Sequence, residues 1–192
     1  MKKGLVSLVL SALIAASFTA CSSSPTPEQK QSEAAGLAGA PIWVLDPSVE
    51  GGVAAVGSAQ KSPGGIQFQR TEALANARDE LARVLSVKVN NMVKNFSQST
   101  GVGDAQTFEK VAQQVSKQVA SETLSGSKQK AIWINPATGE LFVHVMLDPE
   151  SVKNAAKASI RTSMQNDEAL WQQFQAKKAD DALDAEIEKL AK

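Results

Sequence analysis

The feature that most constrains this chain is its single cysteine, Cys21, together with the segment that precedes it. Two lysines follow Met1, residues 4–18 form an uncharged and largely apolar run, and the small residues Thr19 and Ala20 come directly before the cysteine. This order is typical of a secretory signal, and the apolar run is shorter than the about 20 residues that a spanning helix needs. A single cysteine cannot form an internal disulfide, so the exported chain must be stabilised by an apolar core.

The residues around Cys21 resemble the lipobox of bacterial lipoproteins, as Phe18-Thr19-Ala20-Cys21 shows. The resemblance implies that a signal peptide, residues 1–20, is cleaved between Ala20 and Cys21. It also implies a diacylglycerol on the Cys21 sulfur and a palmitoyl group on the new amine. Several acyl chains exceed the two signals that stable membrane anchoring requires. Ser22 at the next position implies sorting to the outer membrane, on its periplasmic face or at the cell surface.

Residues 21–40 are predicted to be a lipidated N-terminus followed by a disordered tether. The stretch 22–40 is rich in Ser, Pro, Gly, Ala and Gln and lacks aromatic residues. Such a composition cannot bury enough apolar surface to fold alone. As a flexible coil, its ends would lie about 24 Å apart, which would hold a domain clear of the lipid headgroups.

The charge balance argues against nucleic acid and an anionic membrane surface as partners. Loss of Lys2 and Lys3 with the signal lowers the basic count from 20 to 18, against 20 acidic residues. A chain so close to neutral has no excess of positive charge that would attract either partner. The expected membrane contact is therefore the covalent lipid.

Strand patterns indicate where an ordered domain, residues 41–165, begins and how its sheet forms. Short strands are expected at 42–45 and 53–59, each followed by a turn signal. A hairpin is expected from 128–135 and 140–147 around a Pro-Ala-Thr-Gly turn. In its second arm the odd-numbered apolar residues alternate with the even-numbered ones, which places the odd set on the core face.

The segments between and after these strands have the periodicity of helices. Apolar residues recur at spacings of seven and four on a long amphipathic helix, at Leu74, Leu81, Leu85, Met92 and Phe96. A second helix is expected after the cap Asp104, and a third after the cap Asp148 with Pro149 in its first turn. The order ββααββα favours an α+β fold with a small antiparallel sheet covered by helices.

Residues 166–192 are predicted to form an amphipathic C-terminal helix beyond this domain. Its apolar face consists of Trp171, Phe174, Leu183, Ile187 and Leu190. A short helix must pack such a face against something. Two alternatives remain, the same domain or another chain, and we expect the second: self-association or an envelope protein partner bound through these aromatic anchors.

Candidate catalytic and metal-binding residues are sparse. His144 is the only histidine, so nitrogen and sulfur ligands for a metal lack partners, and we expect His144 to be a partly exposed surface residue. No serine lies in a nucleophile context, and the loop after Gly57 lacks the phosphate-loop signature. Trp43 and Trp133 are expected to pack in the core beneath the helices. No cofactor, metal or catalytic site is predicted.

Several segments in order resemble one family. They are PIWV at Pro41, VAAVGSA at Val53, ALANARDELARVL at Ala73, and a tryptophan-containing strand followed by GELFVHVMLD at Gly139. These are similar to the twenty-kilodalton Lpp (Lpp-twenty) surface lipoprotein family, which includes the flagellar lipoprotein FlgP. The resemblance covers about residues 41–147 and implies a small α+β domain with an assembly or surface role and no catalytic residues.

The resulting hypothesis is a non-enzymatic module of the cell envelope, with a motility structure as its most specific assembly. A regulator that crosses the periplasm to activate a peptidoglycan enzyme is the alternative, although a 19-residue tether is short for that task. A hydrolase is the third hypothesis, and the missing nucleophile context argues against it.

Overall fold

The central strand of a three-stranded sheet organises the fold. A computed structural model describes residues 26–50 and 52–191. The predicted α+β class is confirmed, because helices cover one face of an antiparallel sheet with strand order β1-β3-β2. In chain order the helices are α1 (Pro27–Ala34), α2 (Gly65–Thr100), α3 (Ala105–Leu124), α4 (Pro149–Gln165), α5 (Glu168–Ala176) and α6 (Asp180–Glu188), the strands are β1 (Val53–Ala59), β2 (Lys128–Ile134) and β3 (Leu141–Leu147), and 3-10 turns lie at Ile42–Val44 and Lys189–Ala191.

The core face of β3 is the predicted one. Leu141, Val143, Val145 and Leu147 are all buried beneath the helices. The even-numbered residues of β3 are largely shielded as well, because Trp43 packs on His144 and Trp133 packs on Phe142. β2, at one side of the sheet, is mostly exposed.

The prediction of a first strand at 42–45 is wrong. Ile42–Val44 forms a 3-10 turn instead. The ring of Pro41 fixes φ near −60°, and its carbonyl accepts a hydrogen bond from the N–H of Val44 at 3.0 Å. The N–H of Asp46 bonds to the Ile42 carbonyl at 2.9 Å. Because these backbone groups are satisfied locally, the segment does not join the sheet, and the order is βααββα.

The long helix α2 follows the predicted apolar stripe. Ala77, Leu81, Leu85 and Val89 recur at intervals of four and are fully buried. Met92 and Phe96 continue the stripe toward the C-terminal end. Gly101 ends the helix in the left-handed conformation, with φ of +62° and its N–H bonded to the Ser97 carbonyl.

Both predicted N-caps are confirmed. The Asp104 carboxylate accepts a hydrogen bond from the backbone N–H of Thr107 at 2.8 Å. Asp148 accepts one from the N–H of Ser151 at 2.9 Å, with Pro149 in the first turn of α4. These hydrogen bonds hold the pKa of each carboxyl below its usual range, since they favour the charged form.

The described part of the expected tether, residues 26–40, contains the helix α1 rather than coil alone. The Glu, Gln, Lys and Ala residues in this stretch are good helix formers, and its composition hid this local preference. Gly36 then contacts the domain, because its carbonyl accepts a hydrogen bond from Nδ2 of Asn135 at 3.0 Å.

Gly57 lets α2 lie directly on β1. A Cβ atom at this position would overlap the backbone of Ala73 and Ala77, and would lie 2.6 Å from the Cα of Ala77. Helix and strand backbones are therefore in contact here, which no residue other than glycine permits.

The change Gly57→Ala should lower the free energy of unfolding by about 2–3 kcal/mol, because the added methyl must displace α2. Urea unfolding of the mature chain, made soluble by Cys21→Ser, measures this. Ser58→Ala is the control, since Ser58 is the next residue of β1 and faces the other side of the sheet. Equal midpoints for the two variants would contradict the direct contact.

Candidate interaction surface

The predicted C-terminal interface is buried in the chain's own core. Phe174, Leu183, Ile187 and Leu190 are nearly inaccessible, and Trp171 packs against the same cluster. The expectation that these residues bind another chain is therefore corrected. Two helices, α5 and α6, replace the single one expected, and the turn between them folds their apolar faces onto the domain.

Aromatic contacts show how α5 docks. Phe174 is 1 % exposed, and its ring centroid lies 6.0 Å from that of Phe96 in α2. Trp171 stacks on Phe174 at 5.4 Å. In the following turn, the ammonium of Lys177 donates to the Thr100 carbonyl at 2.9 Å and so caps the C-terminal end of α2.

A ladder of ion pairs joins α4 to α6. Three cations of α4 meet three carboxylates of α6, each set spaced by four residues: Lys153 with Glu188, Lys157 with Asp184, and Arg161 with Asp180. The hydrogen bond to Glu188 raises the pKa of Lys153 above its ordinary value, and that to Asp180 does so for Arg161. The four-residue spacing of both sets is visible in the sequence, but the sequence does not show that α4 and α6 are neighbours.

His144 is buried rather than partly exposed, at 3 %. Its ring stacks on Trp43, with centroids 5.4 Å apart and planes 5° from parallel. Nε2 lies 2.8 Å from the carbonyl oxygen of Pro47. That oxygen can only accept, so Nε2 carries a proton and donates it. This burial was not predicted, because residues 42–45 were expected to form a strand of the sheet. The segment 41–47 instead folds over the outer face of the sheet, the face opposite the helices.

Both tryptophans of the sheet region lie on that outer face, not beneath the helices as expected. Trp43 covers His144, as described above. Trp133 is paired with Phe142 across β2 and β3, and their ring centroids are 5.4 Å apart. Trp133 is half-buried, so its indole is partly accessible from solvent.

The edge of the sheet formed by β2 is its most accessible part. Ile132 and Ile134 are 40 % and 45 % exposed, although their register partners Val143 and Leu141 point to the core face. At the other end of β2 a bulge interrupts the register between Gln129 and Ala131. Sequence reasoning missed this surface, since alternation alone does not say which arm of the hairpin lies at an edge.

Two arginines of α2 lie over the lysine-bearing end of β2. Arg70 donates two hydrogen bonds to the Gln129 side chain, at 3.1 and 2.9 Å. Arg78 donates to the hydroxyl of Ser127 at 3.1 Å. Lys128 and Lys130 of the strand itself are exposed. This end of the β2 edge is therefore basic, and the other end is apolar.

A groove of about 350 Å³ lies between α2 and α6, beside the last described residues of the chain. Its lining residues are Lys88, Asn91, Met92, Asn95, Glu186, Lys189 and Leu190. Glu186 is buried, with one carboxylate oxygen accepting from Lys189 and the other without a hydrogen-bond partner in the described part of the chain. Lys88 donates to the Leu190 carbonyl at 3.4 Å. These contacts hold the end of the chain against α2.

Within residues 26–50 and 52–191, no group of three His, Cys, Asp or Glu residues is placed to hold a metal ion. Over the same residues, no helix has both the length and the apolar character needed to cross a membrane. The predicted signal peptide, its cleavage site and the lipidated Cys21 lie outside the described residues, so they stay predictions.

The fold and the family comparison together define the class of protein as a lipoprotein with a small α+β domain. The chain belongs to the LPP20 lipoprotein family, whose model matches residues 41–148, more than half of its length. The match confirms the resemblance and extends from Pro41 to the cap of α4, so it includes the whole sheet with α2 and α3. None of the curated proteins compared with the chain is significantly similar to it.

The change Phe174→Ala should lower the free energy of unfolding by about 3–5 kcal/mol, because it removes a fully buried ring from the core. Thermal unfolding of the mature chain with Cys21→Ser measures the effect. Gln172→Ala is the control on the same helix, where the side chain is exposed. If Phe174→Ala unfolded like the control, or changed only the association state, the buried position of α5 would be wrong.

Proposed function

We propose that this chain is a lipid-anchored protein of the outer membrane whose domain binds another protein of the cell envelope and catalyses no reaction. The lipoprotein character is supported by the family match and by the leader that ends at Cys21. The flagellar motor is the first assembly in which to seek the partner, since the family that the sequence resembles includes a flagellar lipoprotein.

The observation that carries the binding role is apolar surface left over after the core is complete. The C-terminal helices already fill the space over α2, yet large apolar side chains are exposed elsewhere: Ile42, Leu45, Ile66, Phe68, Val87, Ile132 and Ile134. Phe68 and Ile134 lie at the same end of the sheet. The residue after Phe68, Gln69, donates hydrogen bonds there to the carbonyls of Ala59, at the end of β1, and of Gly139, in the turn that follows Ile134. Clustered exposed apolar residues are typical of protein-binding surfaces.

The environment of His144 supports a non-catalytic role. General acid–base catalysis requires a ring nitrogen within reach of a substrate. One nitrogen of this histidine is occupied by the Pro47 carbonyl, and the ring is covered by Trp43. The residue acts instead as a polar clamp that holds the segment 41–47 on the sheet.

Anchoring can be tested by Cys21→Ser in cells labelled with a radioactive fatty acid. The variant should lose the label and accumulate as a soluble or uncleaved form, because Cys21 is the only thiol available for acylation. Ser22→Ala is the matched control and should keep the label. Label retained by Cys21→Ser would contradict the lipid anchor.

Binding can be tested by amine-reactive cross-linking in intact cells that express the tagged chain from its own locus. A discrete cross-linked species with one envelope protein is expected, and flagellar motor proteins are examined first. The Cys21→Ser chain, which lacks the proposed lipid anchor, should give less of this species. If the wild-type chain is recovered only as a monomer at every cross-linker concentration, the proposed binding function is wrong.

A further inference from the structure

Among the described residues, β2 has a neighbouring strand on one side only, so its other side is an edge of the sheet. The N–H of Asn135, the residue after β2, bonds to the Glu140 carbonyl at 2.8 Å and so points toward β3. Successive N–H groups of a strand point to opposite sides. The backbone N–H and C=O groups of Ile134 and Ile132 therefore point away from β3, toward solvent. A row of such groups is a template for another strand.

The two halves of β2 differ in their chemistry. The first half has Lys128, Lys130 and the bulge, devices that natural sheets use to discourage unspecific edge pairing. The second half has Ile132 and Ile134, with neither a charge nor a bulge. Only a strand that accommodates both halves can pair along the whole edge.

The basic half lacks carboxylate partners. Among the described residues, no ion pair joins Lys128, Lys130, Arg70 or Arg78 to an acidic side chain. The pKa of Asp148 is lowered mainly by hydrogen bonds from Ser151, and the charge of Lys128 adds a smaller effect in the same direction. An acidic strand would therefore meet lysines that form no ion pair within the described residues, beside arginines whose hydrogen-bond partners, Gln129 and Ser127, are neutral.

A second copy of β2 fits this edge poorly. The bulge places Lys128 on the face of its register partner Met146, whereas Ile132 and Ile134 share the other face with Val143 and Leu141. An antiparallel second copy aligned along the whole strand would pair Lys128 with Ile134, whose side chains point to opposite faces, so the two bulged strands cannot pair residue by residue. The pattern favours a different sequence on the other side.

We propose that β2 binds an extended segment of a partner protein as a fourth strand, antiparallel to β2. Two apolar residues of that segment oppose Ile134 and Ile132, and consecutive Asp or Glu residues follow them beside the bulge, where Lys130 and Lys128 lie. Backbone hydrogen bonds hold such a strand, and cross-strand side-chain pairs select it. This inference rests on the proposed binding function and specifies its surface.

The probe is the peptide VTVTEEE with blocked ends, titrated into the isotope-labelled mature chain carrying Cys21→Ser. Its consecutive acidic residues present carboxylates on both faces, as the bulge requires. The amide signals of Ile132 and Ile134 should shift, and their hydrogen exchange should slow, because these groups become hydrogen-bonded. The peptide VTVTKKK should bind about tenfold more weakly. No response of β2 to the acidic peptide, or equal affinity for both peptides, would overturn the proposal.

Charge reversal provides the matched protein variants. Lys128→Glu with Lys130→Glu should invert the preference, so that VTVTKKK binds better than VTVTEEE. The same charge change at two exposed lysines on other helices, Lys94→Glu with Lys117→Glu, should leave the preference as it is. Equal effects of both pairs would show a general electrostatic attraction and contradict the β2 site.

Circular dichroism verifies that each variant is folded, and all four substituted lysines are solvent-exposed, so their folding should be unaffected. The outcomes also separate this inference from the proposed function. Cross-linking to a partner combined with an unresponsive β2 would overturn the strand site alone. Absence of any cross-linked partner would overturn the binding function itself.

Discussion

The contact between α2 and β1 at Gly57 determines how everything else is placed. It seats a helix of 36 residues, about 54 Å long, on strands of seven residues, about 23 Å long. More than half of α2 must therefore extend beyond the sheet. That overhang is apolar, with Val89 and Phe96 fully buried, so the fold has to supply other elements to cover it.

The cover for the overhang comes from α3 and from helices beyond the family match. Phe96 contacts Phe108 of α3 and Phe174 of α5, and α6 brings Leu183 to the same cluster. Apart from the Lys153 side chain, which is 15 % exposed, the ion-pair ladder between α4 and α6 is open to solvent. Each pair therefore contributes little, and burial of apolar side chains does most of the docking. The region matched by the family model, 41–148, thus contains the sheet with α2 and α3 only. The helices α4, α5 and α6 follow it and complete the domain.

Local signals were enough to predict much of this fold from the sequence. The apolar spacing around Leu81, the cap at Asp148 and the alternation in β3 depend on nearby residues, and all are confirmed. The errors share a different cause. Burial of His144 and of Phe174 depends on which distant segment lies over it, and no periodicity encodes that. The aromatic face of α5 has the same pattern whether it packs on its own chain or on another, so only the three-dimensional arrangement distinguishes them. The open edge of β2 was missed for the same reason.

The two edges of the sheet are not equivalent, and the difference bears on how an anchored domain could receive a partner. On the β1 edge, Asn76 of α2 donates to the Ser58 carbonyl at 2.8 Å, so a side chain of the domain already occupies an acceptor there. The β2 edge is open at Ile134. The N-terminal segment leaves the domain beside this end, because Asn135, the next residue, binds the Gly36 carbonyl. With Cys21 held in a membrane, the short chain between Cys21 and Gly36 would keep this end of β2 near the lipid surface. A partner strand would then reach β2 most readily from a protein in, or close to, the same membrane, since a more distant partner would require the domain to turn on its tether.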